Sequence, residues 1–255
     1  MDPALQQAAR QALQCLDLTS LNDGDTAADI AALCARAQTP FGSVAAVCVW
    51  PRFVAQARAA LPADIKVAAV ADFPDGALDL ARALADVTAI AQAGGDEVDV
   101  VLPYKALMAD QRSEVAEFLA EVRHASQPLT LKVIIESGEL AAPELIREAT
   151  RLALMAGADF VKTSTGKSRV SATPAAAAVM LQEIQASGLP HAGFKASGGI
   201  RTVAEAQAYL RLAADKLGAE ALTPRRFRFG ASGLLNDILA VLSGQAATAP
   251  SSGSY

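Results

Sequence analysis

Phe160-Val161-Lys162-Thr163-Ser164-Thr165-Gly166-Lys167 is the stretch around which the chain is organised. The apolar run from Ala158 to Val161 reads as a short buried strand. It delivers one lysine, Lys162, and opens into a polar turn that ends in Gly-Lys. A charged, unpaired ammonium at the end of an apolar strand is costly. Such an amine tends to lose its proton, and the neutral form is a nucleophile. The plainer alternative is a lysine that is salt-bridged or snorkels to solvent. The choice turns on whether other strands bring charges to the same place.

Working outward, the same apolar-strand pattern recurs. Strands are predicted at Leu16-Asp17-Leu18, Val44 to Trp50, Lys66 to Phe73, Glu97 to Leu102, Leu129 to Ile135, Phe160 to Thr163, Gly193 to Ala196 and Arg226 to Gly230. Helical spacing marks the segments between them. Leu80, Leu84, Val87 and Ala91 lie on one face, as do Val115, Phe118, Leu119 and Val122. Pro143 and Thr173-Pro174 open helices, and Gly94-Gly95 and Gly157 stop them. Pro3 to Cys15 forms an extra helix before the first strand.

Eight strand-helix units within 255 residues predict an α/β fold, a (β/α)8 TIM barrel with an extra N-terminal helix. An open doubly wound sheet is the rival. It usually carries a glycine-rich loop after its first strand, and no Gly-x-Gly-x-x-Gly occurs here. No composition shift divides the chain. The expectation is one domain over residues 1–243, followed by a flexible tail of small and polar residues at 244–255.

Composition removes several function classes. The net charge is −5 with the charges interspersed, which argues against a nucleic-acid surface or a polybasic membrane patch. No stretch approaches the ~18 to 20 continuous apolar residues of a membrane span. The start Met1-Asp2-Pro3 does not read as a signal peptide. Cys15, Cys34 and Cys48 are few and scattered, which fits a reducing, cytoplasmic location. His124 and His191 are the two histidines and lack ligand spacing, so no metal site is expected.

Side chains alternate across a strand. The apolar positions Val98, Val100, Leu131, Val133, Val161 and Phe194 take the helix side. Asp99, Lys132, Lys162 and Lys195 therefore point into one interior, together with Glu97 and Glu136. Barrel interiors are otherwise filled with branched apolar residues, and buried charges cluster at sites. Lys195 close to Lys162 would depress the Lys162 pKa and free its amine for attack on a carbonyl. Asp99 would hold an ammonium or a water for proton transfer, and Lys132 would orient the carboxylate. Such Schiff-base chemistry needs no cofactor. Arg226 and Arg228 point inward as partners for Glu97 or Glu136. Cys48 is read as inert. Asp17 is left open between a helix cap and a hydroxyl-binding carboxylate.

A second constellation lies in the loops after strands six to eight. Thr165, Gly166 and Lys167 follow strand six, Gly198-Gly199 follow strand seven, and Gly230 and Ser232 follow strand eight. Glycines admit close backbone approach to an anion, and helix N-termini favour negative charge. This is the usual barrel phosphate site.

These stretches together resemble the 2-deoxyribose-5-phosphate aldolases, a class I family. The matching segments include Leu16-Asp17-Leu18-Thr19, Glu97-Val98-Asp99-Val100-Val101, Leu131 to Glu136, Phe160 to Lys167, Phe194-Lys195 with Gly198-Gly199, and Phe229 to Ser232. The resemblance implies a lyase that reversibly cleaves 2-deoxy-D-ribose 5-phosphate to acetaldehyde and D-glyceraldehyde 3-phosphate, in deoxyribonucleotide catabolism. It implies that Lys162 is the Schiff-base lysine, Lys195 its pKa-lowering neighbour and Asp99 the relay aspartate. Lys132 and Asp17 are implied as supporting residues. Thr165, Gly166, Lys167, Gly198, Gly199, Gly230 and Ser232 are implied as the phosphate cup, and the terminal Tyr255 as a proton carrier. The expected partner is a phosphorylated sugar, and a homodimer is the assembly to expect.

Departures from the family pattern occur at Gly233, where a second serine is common, and at Asp72 and Asp75, where Asn and His are common. The first implies one phosphate hydroxyl fewer. The second adds two carboxylates near the mouth and points to weaker affinity for anions. A phosphosugar isomerase using Asp99 or Glu136 as base, and a non-catalytic sugar-phosphate binder, are the rival readings.

Overall fold

The computed structural model describes residues 2–244. Eight parallel strands close into a barrel, each bonded to the next in sequence and the eighth bonded to the first. They are Leu16–Thr19, Ala46–Val49, Lys66–Ala71, Glu97–Val101, Thr130–Ile134, Phe160–Lys162, Gly193–Ser197 and Phe227–Ala231. The expected TIM barrel is present, and the helix Pro3–Gln14 precedes the first strand. Asp2 caps that helix by accepting from the Ala4 amide at 2.9 Å.

Strand bounds contract by one or two residues at several ends. Val44-Ala45, Asp72-Phe73 and Thr163 fall outside the ladder because the chain turns there toward the mouths of the barrel. The loops also hold structure that periodicity did not signal. A two-stranded antiparallel ribbon pairs Gln38–Thr39 with Gly42–Ser43. Short helices occupy Tyr104–Met108 and Ser137–Leu140. Segments of four or five residues are too short to show a helical period.

Register decides which side chains share a level. Asp99 is opposite Lys132. Lys162 is opposite Lys195, and Lys195 is opposite Arg228. Two interior glycines make room for large neighbours. A Cβ on Gly193 would stand 2.5 Å from the Phe160 ring, and one on Gly230 would stand 3.0 Å from Lys195 Cε. Gly230 thus makes room within the strand's own interior.

The apolar core lies between strands and helices. Phe194, Phe227 and Phe229 are almost fully buried there, with ring centroids 6.1 and 4.8 Å apart in successive pairs. Truncating such an aromatic costs about 3–5 kcal/mol, a large share of a domain's stability of about 5–15 kcal/mol. Phe194→Ala is therefore expected to lower the urea midpoint strongly while leaving the interior charges in place, and equilibrium unfolding followed by circular dichroism checks this.

Candidate active site

The barrel interior holds a continuous ion network centred on Asp99. Its Oδ1 accepts from Lys132 Nζ at 2.7 Å. Its Oδ2 accepts from both Lys162 Nζ at 2.8 Å and Lys195 Nζ at 2.7 Å. Lys195 also donates to Asp17 Oδ2 at 2.5 Å. Arg228 bridges Asp17 Oδ1 at 2.5 Å and Glu97 Oε1 at 2.8 Å. Lys132 closes the circuit on Glu97 Oε2 at 2.5 Å. All seven side chains are buried.

Three of these groups are carboxylates and four are cations, so one positive charge is in excess. The contacts show which one. Lys195 has two carboxylates, Arg228 has two, and Lys132 has Asp99 and Glu97 with Asp17 at 3.7 Å. Lys162 has only Asp99, on an oxygen it shares with Lys195. Burial pulls all four pKa values down. For Lys195 and Arg228 the contacts with Asp17 and a second carboxylate outweigh it, and their pKa values rise. For Lys132, Asp99 and Glu97 do the same. For Lys162 burial wins over Asp99, with the Lys195 charge adding to it, and its pKa falls.

Both causes expected for that depression, burial of the amine and the Lys195 charge, act here, and burial is the larger.

The carboxylates shift the opposite way. Burial alone would raise Asp99, but Lys132, Lys162 and Lys195 hold it well below the usual range. Asp17 is likewise raised by burial and held low by Arg228, Lys195 and Lys132. Asp17 caps no helix and anchors Lys195 and Arg228. Arg228 takes the predicted carboxylate partner. Arg226 precedes the last strand and donates to the Ala192 carbonyl at 3.3 Å instead. Cys48 faces the same interior, and burial pushes its thiol up to about 11.

The three glycine loops meet at the C-terminal mouth. Gly166, Gly198 and Gly199 have φ of 82°, 84° and 80°. This left-handed region is strained for other residues. A Cβ on Gly198 would lie 3.2 Å from Gly166 Cα, so the loops after strands six and seven touch through their backbones. Lys167 Nζ lies at the rim, 4.0 Å from Asp23.

The helix after strand seven was expected to offer its N-terminus to an anion, but its amides are engaged. Arg201 N and Thr202 N donate to Glu205 Oε2, Glu205 N to Thr202 Oγ1, and Val203 N to Asp237 Oδ2. The last helix, Leu234–Leu242, differs. Gly233 precedes it and no side chain caps it. It starts beside half-buried Ser232 and carries Asp237 in its first turn. Thr165, expected in the cup, spends its N–H and hydroxyl on Glu136. Tyr255 lies outside the described residues.

Asp72 directly follows the C-terminal end of the third strand, Lys66–Ala71. It is fully buried with φ 49°, and its carboxyl oxygens accept no hydrogen bond among the described residues. Burial outweighs Arg82, 3.7 Å away, and the nearby Asp79, Asp86 and Asp75 add to the effect, raising the pKa to about 7. Exposed Asp75 pairs with the same Arg82 at 3.6 Å. The two added carboxylates thus sit on an arginine of their own.

Comparison with known proteins gives consistent results. Residues 11–240 match the family described as DeoC/LacD family aldolase. A deoxyribose-phosphate aldolase from Agrobacterium fabrum is 51% identical over 241 residues, covering 93% of each chain. A chain from Toxoplasma gondii, solved as a candidate deoxyribose-phosphate aldolase, superposes with TM-score 0.86 at 25% identity over 95% of this chain and 96% of that one. The tetrameric deoxyribose phosphate aldolase from Aeropyrum pernix shares the fold, with TM-score 0.72 at 23% identity over 94% and 97%.

Two stability measurements follow from these shifts. Asp17 and Asp99 bind protons less readily folded than unfolded, so their contribution is present above the ordinary carboxylate value of about 3.9 and is lost as pH falls below it. Asp99→Asn leaves the charged Lys132 and Lys195 without their shared anion. At pH 7 it should cost about 3–5 kcal/mol, with a flatter acid limb in denaturant midpoints taken against pH. Asp72 has the opposite sign. Its folded pKa is raised, so it destabilises increasingly as pH climbs from about 4 toward 7 and above. Asp72→Asn should therefore raise the thermal midpoint at pH 8, with the gain vanishing near pH 4.

Proposed function

As the chain belongs to the DeoC/LacD aldolase family, we propose that it cleaves 2-deoxy-D-ribose 5-phosphate reversibly through a Schiff base on Lys162. The observation that carries this is the unequal pairing of the interior cations. Lys162 alone among the four has its pKa pushed down. Its neighbours keep their charge, so the neutral amine has a fixed electrostatic surround.

In the cleavage direction the Lys162 amine adds to the aldehyde carbon of the open-chain sugar. Loss of water from the adduct gives an iminium. The nitrogen is then cationic, and Asp99 Oδ2 stands 2.8 Å from Nζ to balance it. The bond between the second and third carbons breaks, its electron pair moving into an enamine as the third carbon's hydroxyl gives up a proton. D-Glyceraldehyde 3-phosphate leaves. Protonation of the enamine carbon and addition of water to the resulting iminium release acetaldehyde and restore the amine.

Asp99 is too acidic to hold a proton for long. It works by passing protons among the ammonium groups and water that touch it. Lys195 stays charged through its bond to Asp17. The phosphate sits between the Gly198-Gly199 turn and the uncapped last helix, which fixes the distance between the anion and the reacting carbons. Tyr255 is assigned the proton at the enamine carbon.

A cytoplasmic location is part of the same proposal, supported by three free, buried thiols. So is a homodimer, for which light scattering should give twice the chain mass. Among the described residues no helix is long and apolar enough to cross a membrane.

The test combines turnover with trapping. The protein should release acetaldehyde from deoxyribose 5-phosphate. Borohydride added with acetaldehyde should leave a reduced two-carbon adduct on the peptide bearing Lys162. Lys162→Leu should lose both, with turnover down on the order of a thousandfold or more. An isomerase using Asp99 or Glu136 as base would convert substrate without any adduct, and that result would sink the proposal.

A further inference from the structure

The turn that carries Gly166 and Lys167 is held from one side by the loop after strand five. Ser137 N donates to the Thr163 carbonyl at 2.8 Å. The Glu136 carboxylate accepts three bonds from the turn. These come from Thr165 N at 3.2 Å, Thr165 Oγ1 at 2.5 Å and Ser168 Oγ at 3.0 Å. Thr165 Oγ1 in turn accepts from Lys167 N at 3.0 Å. One carboxylate thereby fixes the backbone on both sides of Gly166.

Gly138 adds a second point of contact. A Cβ there would stand 1.9 Å from the Val170 carbonyl oxygen, so the two backbones meet with no space for a side chain. The loop after strand seven closes the other side, where Gly198 packs on Ser171 and Gly166.

Glu136 is also conformationally expensive. Its φ is 51°, and Ala141 at the far end of the same short helix has φ 54°. Left-handed backbone at a non-glycine residue costs on the order of 1–3 kcal/mol, and such strain gathers at functional sites. A carboxylate next to an anion-binding turn would also repel the anion if it were not already engaged by donors. The three bonds to the turn help to offset that strain and repulsion.

Building on the aldolase reading, we infer that Glu136 and Gly138 are positioning residues for recognition of the substrate phosphate. They hold the Thr165–Lys167 turn in its anion-binding shape. Neither hydrogen-bonds into the Asp99 network that holds Lys162, and Glu136 acts on Lys162 only through the attraction between their charges. Thr165, expected to touch the phosphate, acts through this brace instead.

The experiment compares deoxyribose 5-phosphate with unphosphorylated 2-deoxyribose for wild type, Glu136→Ala, Glu136→Gln and Gly138→Ala. The ratio of the two kcat/KM values measures phosphate recognition. Glu136→Ala and Gly138→Ala should each lower that ratio at least tenfold, mostly through KM for the phosphorylated sugar. Glu136→Gln, which keeps one acceptor oxygen, should recover part of it. In Gly138→Ala, which leaves every charge in place, borohydride trapping of acetaldehyde on Lys162 should proceed as in wild type, and the pH dependence of deoxyribose cleavage should keep its midpoint.

An unchanged ratio in Gly138→Ala overturns the inference, and so does a parallel fall on both sugars. A Glu136→Ala protein that fails to fold leaves Gly138→Ala and Glu136→Gln to decide. A wild type that forms no acetaldehyde adduct overturns the aldolase reading itself, which is a separate result.

Discussion

The bond on which the rest of the molecule depends is the one Asp99 makes with three lysines at once. A single carboxylate inside a closed barrel accepts from Lys132, Lys162 and Lys195 at 2.7 to 2.8 Å. Burying any one of these charges alone would be prohibitive. Together they are tolerable because Asp17 and Glu97 return most of the balance through Lys195, Lys132 and Arg228. The balance is incomplete by one unit, and the deficit falls on the lysine with the fewest partners. An amine with a lowered pKa is thus what remains when four cations are given three carboxylates.

This arrangement stores instability at the centre of the protein. A barrel interior of branched apolar side chains would fold more readily, since well-packed hydrophobic replacements for buried ions are often neutral or stabilising. The surrounding structure bears the difference. Phe194, Phe227 and Phe229 and the helices over them form a dry outer layer. Inside, Gly193 and Gly230 give up side-chain volume so that Phe160 and Lys195 can lie where they do. Stability and chemistry are separated into two faces of the same strands.

The loops follow a parallel logic for the anion. The helix after strand seven satisfies its own first amides through Thr202 and Glu205, whereas the last helix starts without a side-chain cap. Around it, three loops touch backbone to backbone at Gly138, Gly166 and Gly198. A site built from main chain cannot be adjusted by rotating side chains, so its shape has to be fixed by what braces it from behind.

Much of this was legible in the chain itself. Alternation within Glu97-Val98-Asp99-Val100 and Leu131-Lys132-Val133 fixes which residues look inward, because side-chain direction in a strand has a period of two. The recurrence of strand and helix set the barrel, and the residues Lys162, Lys195 and Asp99 could be grouped before any coordinates. What one dimension could not supply was partnership. Asp17 and Lys195 are far apart in sequence yet share a bond, Arg228 rather than Arg226 reaches Glu97, and Thr165 turns away to Glu136. Barrel closure and register bring these groups to one level. Coulomb interactions at 3 Å then decide which charge survives, and they depend on distance through space rather than position along the chain.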